Sequence, residues 1–347
     1  MRHLPVPSIA ISPRWRLRCL GMLLVAFVLV DRPGAAGQEA GEEGRAMLAR
    51  AVQLSDLRSG GPGSLILRES VRLLGMDGWP DGIAEGSYEL LVLDSEHWRE
   101  ELAFQGWSET NGRFGPTRWR LRTRANKPMR MFQAFRTVDP GAHLRLAQHA
   151  TIAKVTHSNP QGRSIVCLGL KGPEKDTSEL CFDRISAALV SARYHNPEAF
   201  YTFSGQHTLE DKIIPRLLRC IEAAEPAVEA EVTSLAVVEG LDIALFAPVK
   251  GAILWPHCDE PTPPRVLAKR EATQPVHAKA QRQFGTVMCI GEVSPDGIIE
   301  DIAVVQSRGG LLDQAVKKAL ATWQWEPARC GGTPVPYEVK VQYTFMP

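Results

Sequence analysis

The chain has 347 residues, a length that suits two domains of roughly 150 residues each. With 44% apolar and 23% charged residues it has an ordinary globular composition, which excludes a disordered tail and a polytopic membrane protein. Forty basic and thirty-nine acidic side chains leave a net charge of +1, a balance that speaks against a dedicated nucleic-acid binder.

The N-terminal segment stands apart. Arg14, Arg16 and Arg18 precede an apolar run from Cys19 to Val30, and the small residues Ala35, Ala36 and Gly37 follow. That is the layout of a secretory signal peptide over 1–37. A spanning helix needs roughly twenty apolar residues, so the alternative is a short uncleaved anchor.

Glu42 to Leu57 reads as a helix, stopped by Ser59-Gly60-Gly61-Pro62-Gly63. Short alternating runs then follow to about Phe246: Ser64–Leu74, Ser87–Leu93, Trp98–Phe104, Gln105–Thr110 and Arg118–Thr123, with turns expected at Asn111-Gly112 and Gly115-Pro116. Lys127 to Ala150 carries helical spacing, with Met129, Met131, Phe132 and Phe135 on one piece and Ala142 to Ala150 as a second. Strands resume over Thr151–Thr156, Ser164–Leu170, Ser178–Phe182, Ala187–Tyr194, Ala199–Gln206, Arg216–Ala223 and Ala227–Val238. About ten strands and two or three helices imply a curved antiparallel half-barrel sheet covered by helices on one face, over 42–247.

Six cysteines remain after export, and one pairing stands out. Cys167 and Cys181 lie in apolar segments on either side of Gly172-Pro173-Glu174-Lys175-Asp176, with Glu174 equidistant from both. A hairpin folded there sets the two thiols opposite each other. A cross-strand disulfide of this loop size contributes about 3 kcal/mol; two buried free thiols are the alternative. The pairing of Cys220, Cys258, Cys289 and Cys330 stays open.

Pro256, Pro261, Pro263, Pro264 and Pro275 mark 248–274 as a linker, interrupted by the apolar stretch Ala252 to Trp255. Beyond it the pattern is β-β-α-β. Gly285 to Val293 and Ile298 to Gln306 form a hairpin around Ser294-Pro295-Asp296-Gly297. Leu311, Leu312, Ala315, Val316, Ala319, Leu320 and Trp323 make an apolar helical stripe, Pro327 ends it, and Val335 to Phe345 is a last strand. The fold class expected is therefore α+β throughout.

Seven pieces of this region stand in one register: Pro275-Val-His-Ala278, Gly285-Thr-Val287, Ser294-Pro-Asp-Gly297, Leu312-Asp313, Trp323-Gln-Trp-Glu-Pro327-Ala328, Gly332-Thr-Pro-Val335 and Val341-Gln-Tyr-Thr-Phe345. Together they resemble the TonB C-terminal domain over 275–347. The preceding part, through Gly86-Ser-Tyr88, Trp98-Arg-Glu-Glu101, the Cys167/Cys181 hairpin and Leu241 to Phe246, is similar to the LolA/LolB half-barrel class.

The resemblance implies a periplasmic or cell-envelope protein that contacts outer-membrane TonB-dependent receptors, in the setting of energy-dependent transport. The means would be β-strand addition to an edge. The edge expected is Glu338, Val339, Lys340, Val341, Gln342, Tyr343, Thr344 and Phe345, with the odd-numbered side chains facing the helix as core. Coupling to an ExbB/ExbD motor is expected only if the N-terminus is retained. Otherwise the chain is a soluble adaptor, or a carrier of a lipid or other apolar ligand in the half-barrel. Trp79, Trp98, Trp107, Trp119, Met131 and Phe135 are the candidate lining of that cavity, with ordinary core residues as the alternative.

Chemistry is thinly signalled. There is no GxSxG, GxGxxG, Walker A or HExxH pattern. His257-Cys258-Asp259-Glu260 is the one dense group of ligand types, and neighbours in an extended chain point opposite ways. Glu100 and Glu101 fall on opposite faces of a strand, which makes them a poor acid/base pair and suggests a solvated role. No metal, no cofactor, no nucleic-acid partner and no enzymatic activity are expected.

Overall fold

The computed structural model describes residues 35–60, 63–76, 80–123, 130–172, 177–195, 198–222, 224–258 and 260–347. Arg14, Arg16, Arg18 and the run Cys19 to Val30 lie outside the described residues, as do Trp79, Met129, Glu174 and Asp259. Helix α1 (Ala35–Ser55) is followed by β1 (Leu65–Leu74), β2 (Ile83–Val92), β3 (His97–Phe104), β4 (Trp107–Phe114) and β5 (Thr117–Arg122). Two helices intervene, α2 (Met131–Val138) and α3 (Pro140–Gln148). The strands then continue as β6 (Thr151–Ser158), β7 (Ile165–Lys171), β8 (Thr177–Asp183), β9 (Leu189–His195), β10 (Glu198–Leu209), β11 (Lys212–Glu222) and β12 (Glu225–Val237).

These strands form two antiparallel meanders, one running outward from β1 to β5 and the other from β12 back to β6. They are joined where β1 pairs with β12. The result is a large curved, open antiparallel sheet and not a closed barrel. Alternation puts one face inward: on β3, Trp98, Glu100, Leu102 and Phe104 are buried while their neighbours are not. Leu48 and Ala51 of α1, Met131, Ala134 and Val138 of α2, and Leu144 and Ala147 of α3 close the core over that face.

One turn was misplaced by the sequence pattern. The chain reverses at Gln105-Gly106, and Asn111-Gly112 lies inside β4. Gly112 serves packing there: a Cβ would come within 2.3 Å of the Trp119 indole, which lies over the glycine. The strand count also rises, because β13 (Ile253–Pro256) extends the large sheet to thirteen strands by pairing with β5. Residues 248–274, read as linker, thus hold the apolar stretch as an edge strand, and also β14 (Arg265–Ala268).

The C-terminal module contains α4 (Val276–Ala280), β15 (Gly285–Val293), β16 (Ile299–Gln306), α5 (Gly310–Leu320), β17 (Gln324–Glu326), β18 (Ala328–Cys330), β19 (Thr333–Val335) and β20 (Tyr337–Phe345). Its main sheet has the order β16-β15-β20. Leu312, Val316, Ala319 and Leu320 of α5 pack on Val287, Cys289, Val341 and Phe345. The stripe is narrower than the sequence indicated, since Leu311 is exposed. Gly297 has φ +77°, and a Cβ there would strike the Trp325 carbonyl oxygen at 2.2 Å, so the β15–β16 turn needs glycine. No described helix is long and apolar enough to cross a membrane.

Candidate functional sites: an edge strand and an interdomain cavity

β20 pairs with β15 along nine residues, from Tyr337↔Val293 to Phe345↔Gly285. No second strand pairs with β20 among the described residues, so one side of its backbone is a sheet edge. Its side chains alternate as the sequence indicated. Val341 and Phe345 are buried and Val339 and Tyr343 half-buried toward α5, whereas Glu338, Gln342 and Thr344 are exposed. Lys340, on the outer face, is half-buried.

The outer face of this sheet does not look into open solvent everywhere. Met288 and Ile290 of β15 are buried although they alternate with the core residues Val287 and Cys289. On the same face, Glu292 accepts hydrogen bonds from both terminal nitrogens of Arg120 on β5, with Nη1 at 2.6 Å from Oε2. Arg122 pairs with Asp301 of β16 and, on its own domain, with Glu109 at 2.5 Å. The module is therefore docked on the half-barrel by a bidentate guanidinium–carboxylate contact and a second ion pair, both largely shielded from water.

Beside this contact lies a cavity of about 450 Å³. Phe132, Leu146, Leu170, Leu180 and Tyr194 line it from the half-barrel, and Ile290, Tyr337, Glu338 and Lys340 line it from the module. Helical spacing brings Phe132 and Arg136 onto one face of α2, where the guanidinium stacks 4.2 Å from the ring. Arg136 reaches across to Glu338 at 3.7 Å. Burial works against the Arg136 charge, but Glu338 and the tyrosines Tyr201 and Tyr194 outweigh it and raise its pKa.

His143 of α3 is fully buried at the cavity wall. Its Nε2 lies 3.0 Å from the Arg136 carbonyl and its Nδ1 lies 2.7 Å from the Tyr194 hydroxyl. A carbonyl only accepts, so Nε2 carries the hydrogen, and in the neutral ring Nδ1 accepts from the tyrosine hydroxyl. Burial first, and the neighbouring Arg136 charge second, push its pKa down to about 3.

Of the candidate lining residues, none of the described ones lines this cavity, although Phe132 of the same helical segment does. Trp79 lies outside the described residues, Met131 is buried in the core under α2, and Phe135 packs against that core. Trp107 is a core residue. The indole of Trp119 donates to the Phe246 carbonyl at 2.9 Å and so fastens the turn that closes the half-barrel domain.

Trp98 faces not a greasy space but two guanidiniums, Arg58 at 3.9 Å and Arg118 at 4.4 Å from the ring. Glu100 is likewise not solvated: it is buried, pairs with Arg58, and accepts from the Tyr88 hydroxyl at 2.9 Å. Asp139 adds its charge 3.0 Å from Arg58, and Arg145 bonds both Asp139 and Asp56. Burial opposes the Arg58 charge, yet Glu100 and Asp139 overcome it and raise the pKa. Burial also drives Glu69, whose carboxylate oxygens have no hydrogen-bond partner, well above the carboxylate range. The half-barrel interior is thus partly ionic. Arg58 follows a buried leucine in a short turn, and no apolar periodicity announces it.

Cys167 and Cys181 face each other across β7 and β8 and form a disulfide. Cys258 and Cys330 form a second. Cys220 and Cys289 remain buried free thiols, each pushed up to about 12 by burial. Glu179 lies close to Cys167 and Cys181, but those sulfurs are bonded to each other and do not offer thiolates to a metal.

Fold and sites together define a two-module chain, a helix-covered half-barrel sheet carrying a small β-β-α-β module whose last strand is a sheet edge among the described residues. Residues 271–347 match the family described as Gram-negative bacterial TonB protein C-terminal. Protein TonB of Klebsiella pneumoniae is 30% identical over 77 residues, which is 22% of this chain and 32% of that protein. The chain thus spans about a third of the length of that curated relative. The C-terminal domain of TonB from Pseudomonas aeruginosa, solved in solution, is 28% identical; the match covers 24% of this chain and 85% of that structure, with a TM-score of 0.22. A lipoprotein-sorting protein domain from Vibrio parahaemolyticus is 11% identical over 60% of this chain and 96% of its own, with a TM-score of 0.42.

Proposed function

We propose that this chain is a cell-envelope binding protein, not an enzyme, that captures an extended segment of an outer-membrane receptor along β20. The observation that carries this reading is the sheet order β16-β15-β20, which makes the nine-residue β20 an edge strand among the described residues. An added strand would complete the ladder with main-chain hydrogen bonds, while alternate side chains would give selectivity. The TonB-type match over 271–347 supports the choice of partner. The test is disulfide trapping in the full exported chain. Gln342→Cys, exposed on the strand, is mixed with synthetic peptides that copy the periplasmic N-terminal segment of a TonB-dependent receptor, with one cysteine walked along them. Trapping at alternate peptide positions is the expected result; no trapping, or trapping without periodicity, refutes strand addition.

The cavity favours a second reading, a carrier of an apolar ligand, because its half-barrel wall is mainly apolar and aromatic. Whether the protein also transduces energy through an ExbB/ExbD motor depends on residues 1–37. Mass measurement of the mature N-terminus in a diderm host decides it. A chain beginning near Gln38 is a periplasmic adaptor or carrier, and one beginning at Met1 in the inner-membrane fraction keeps motor coupling open.

A further inference from the structure

The two candidate sites share a strand. Glu338 and Lys340 belong to the nine-residue edge strand, and both also line the cavity, together with Tyr337 and with Ile290 of the neighbouring β15. The same face carries the Arg136–Glu338 contact to α2. A strand added at the β20 edge of the sheet would lie roughly 4.8 Å beyond it. Its outward side chains would stand about 5 Å from those of Glu338 and Lys340, at the mouth of the cavity.

We infer that the cavity and the β20 edge are mutually exclusive in their filled states: an apolar ligand seated against Glu338 and Lys340 weakens strand addition, and a bound strand weakens the ligand. This deepens the strand-capture reading and rests on it. The geometry gives the sign. A ligand filling the module-side wall occupies the space that the partner's alternate side chains would enter. By linkage the two effects are equal in size. The shared wall also explains why Lys340 is half-buried on a face where Gln342 and Thr344 are exposed.

The experiment uses the full exported chain and the polarity-sensitive dye phenylnaphthylamine as the cavity probe. Dye titrations are run alone and with saturating receptor peptide, and peptide titrations with and without dye. The expected result is that each ligand weakens the other at least fivefold, by the same factor. Peptide that binds yet leaves dye affinity unchanged overturns the inference while strand capture stands. Peptide that fails to bind at all removes strand capture, and the inference with it.

A peptide-free arm tests the wall itself. Glu338→Trp should weaken the dye at least fivefold, whereas Gln342→Trp, on the same strand but off the cavity lining, should not. Should near-UV circular dichroism show Glu338→Trp misfolded, Lys340→Trp is read in its place. Unchanged dye affinity in the folded wall variant means that β20 does not bound the ligand site, and the inference falls.

Discussion

The neutral His143 makes the stability of the half-barrel depend on pH in a way that can be isolated. Its ring is fully buried, donates to the Arg136 carbonyl and accepts from Tyr194, and its pKa is pushed down to about 3 from an ordinary 6.5. The unfolded chain therefore takes up the proton first as pH falls. Stability is intact above the unfolded value of 6.5 and is lost progressively between there and about 3. Each pH unit in that window costs about 1.4 kcal/mol, so lowering the pH from 6.5 to 4.5 should remove roughly 2 to 3 kcal/mol through this residue. His143→Gln keeps a donor for the carbonyl and an acceptor for Tyr194 but does not titrate. Urea unfolding of both proteins, followed by near-UV circular dichroism from pH 7.5 to 4.5, gives the difference directly. Asp183, lowered to about 2, is common to the two proteins and cancels, whereas Asp139, which the His143 charge helps to lower, contributes to the difference through that coupling. A wild-type-minus-variant difference that stays constant across the range refutes the neutral-ring assignment.

Other outcomes follow from the packing and the cross-links. Replacing Cys167 and Cys181 by serine should cost about 3 kcal/mol, and removing the Cys258–Cys330 link, which closes a far longer loop, about 4 kcal/mol in the chain-entropy account, both read from urea midpoints. Gly112→Ala must push the Trp119 ring aside; a loss of about 1–3 kcal/mol is expected, with a red shift in tryptophan emission. Unchanged stability and emission would mean that the ring does not rest on the glycine. A double-mutant cycle on Arg120→Ala and Glu292→Ala should return a coupling of about 1–3 kcal/mol. A value near zero would show that the bidentate contact does not hold the module to the half-barrel.

Most of the architecture was legible because its determinants are local. The β15–β16 turn needs the glycine that Ser294-Pro295-Asp296-Gly297 supplies, and the α5 core residues recur at helical spacing. The Cys167–Cys181 register followed from symmetry about Glu174. What failed depended on contacts distant in sequence. Gly112 reads as a turn residue beside Asn111 unless the Trp119 ring that covers it is known. Glu100 looks like a surface carboxylate until Arg58, forty-two residues earlier, is brought onto it. The cavity was missed because two of its walls belong to different modules. One signal did exist: Met288 and Ile290 are apolar on the face of β15 opposite its own core, a pattern that calls for a second packing surface.

The Cys258–Cys330 disulfide sets a length scale. Pro256 is the last residue held in the large sheet and Cys258 is two residues on, a stretch of at most roughly 7 Å. The bridge then adds a Cα–Cα step of 5.9 Å to the β18–β19 hairpin of the module. Even with every interdomain ion pair dissolved, the module stays on a leash shorter than its own diameter. It re-finds the half-barrel as an intramolecular event, at an effective concentration in the millimolar range. Its behaviour is that of a hinged flap and not of a freely sweeping arm, so whatever meets β20 meets the half-barrel at the same moment.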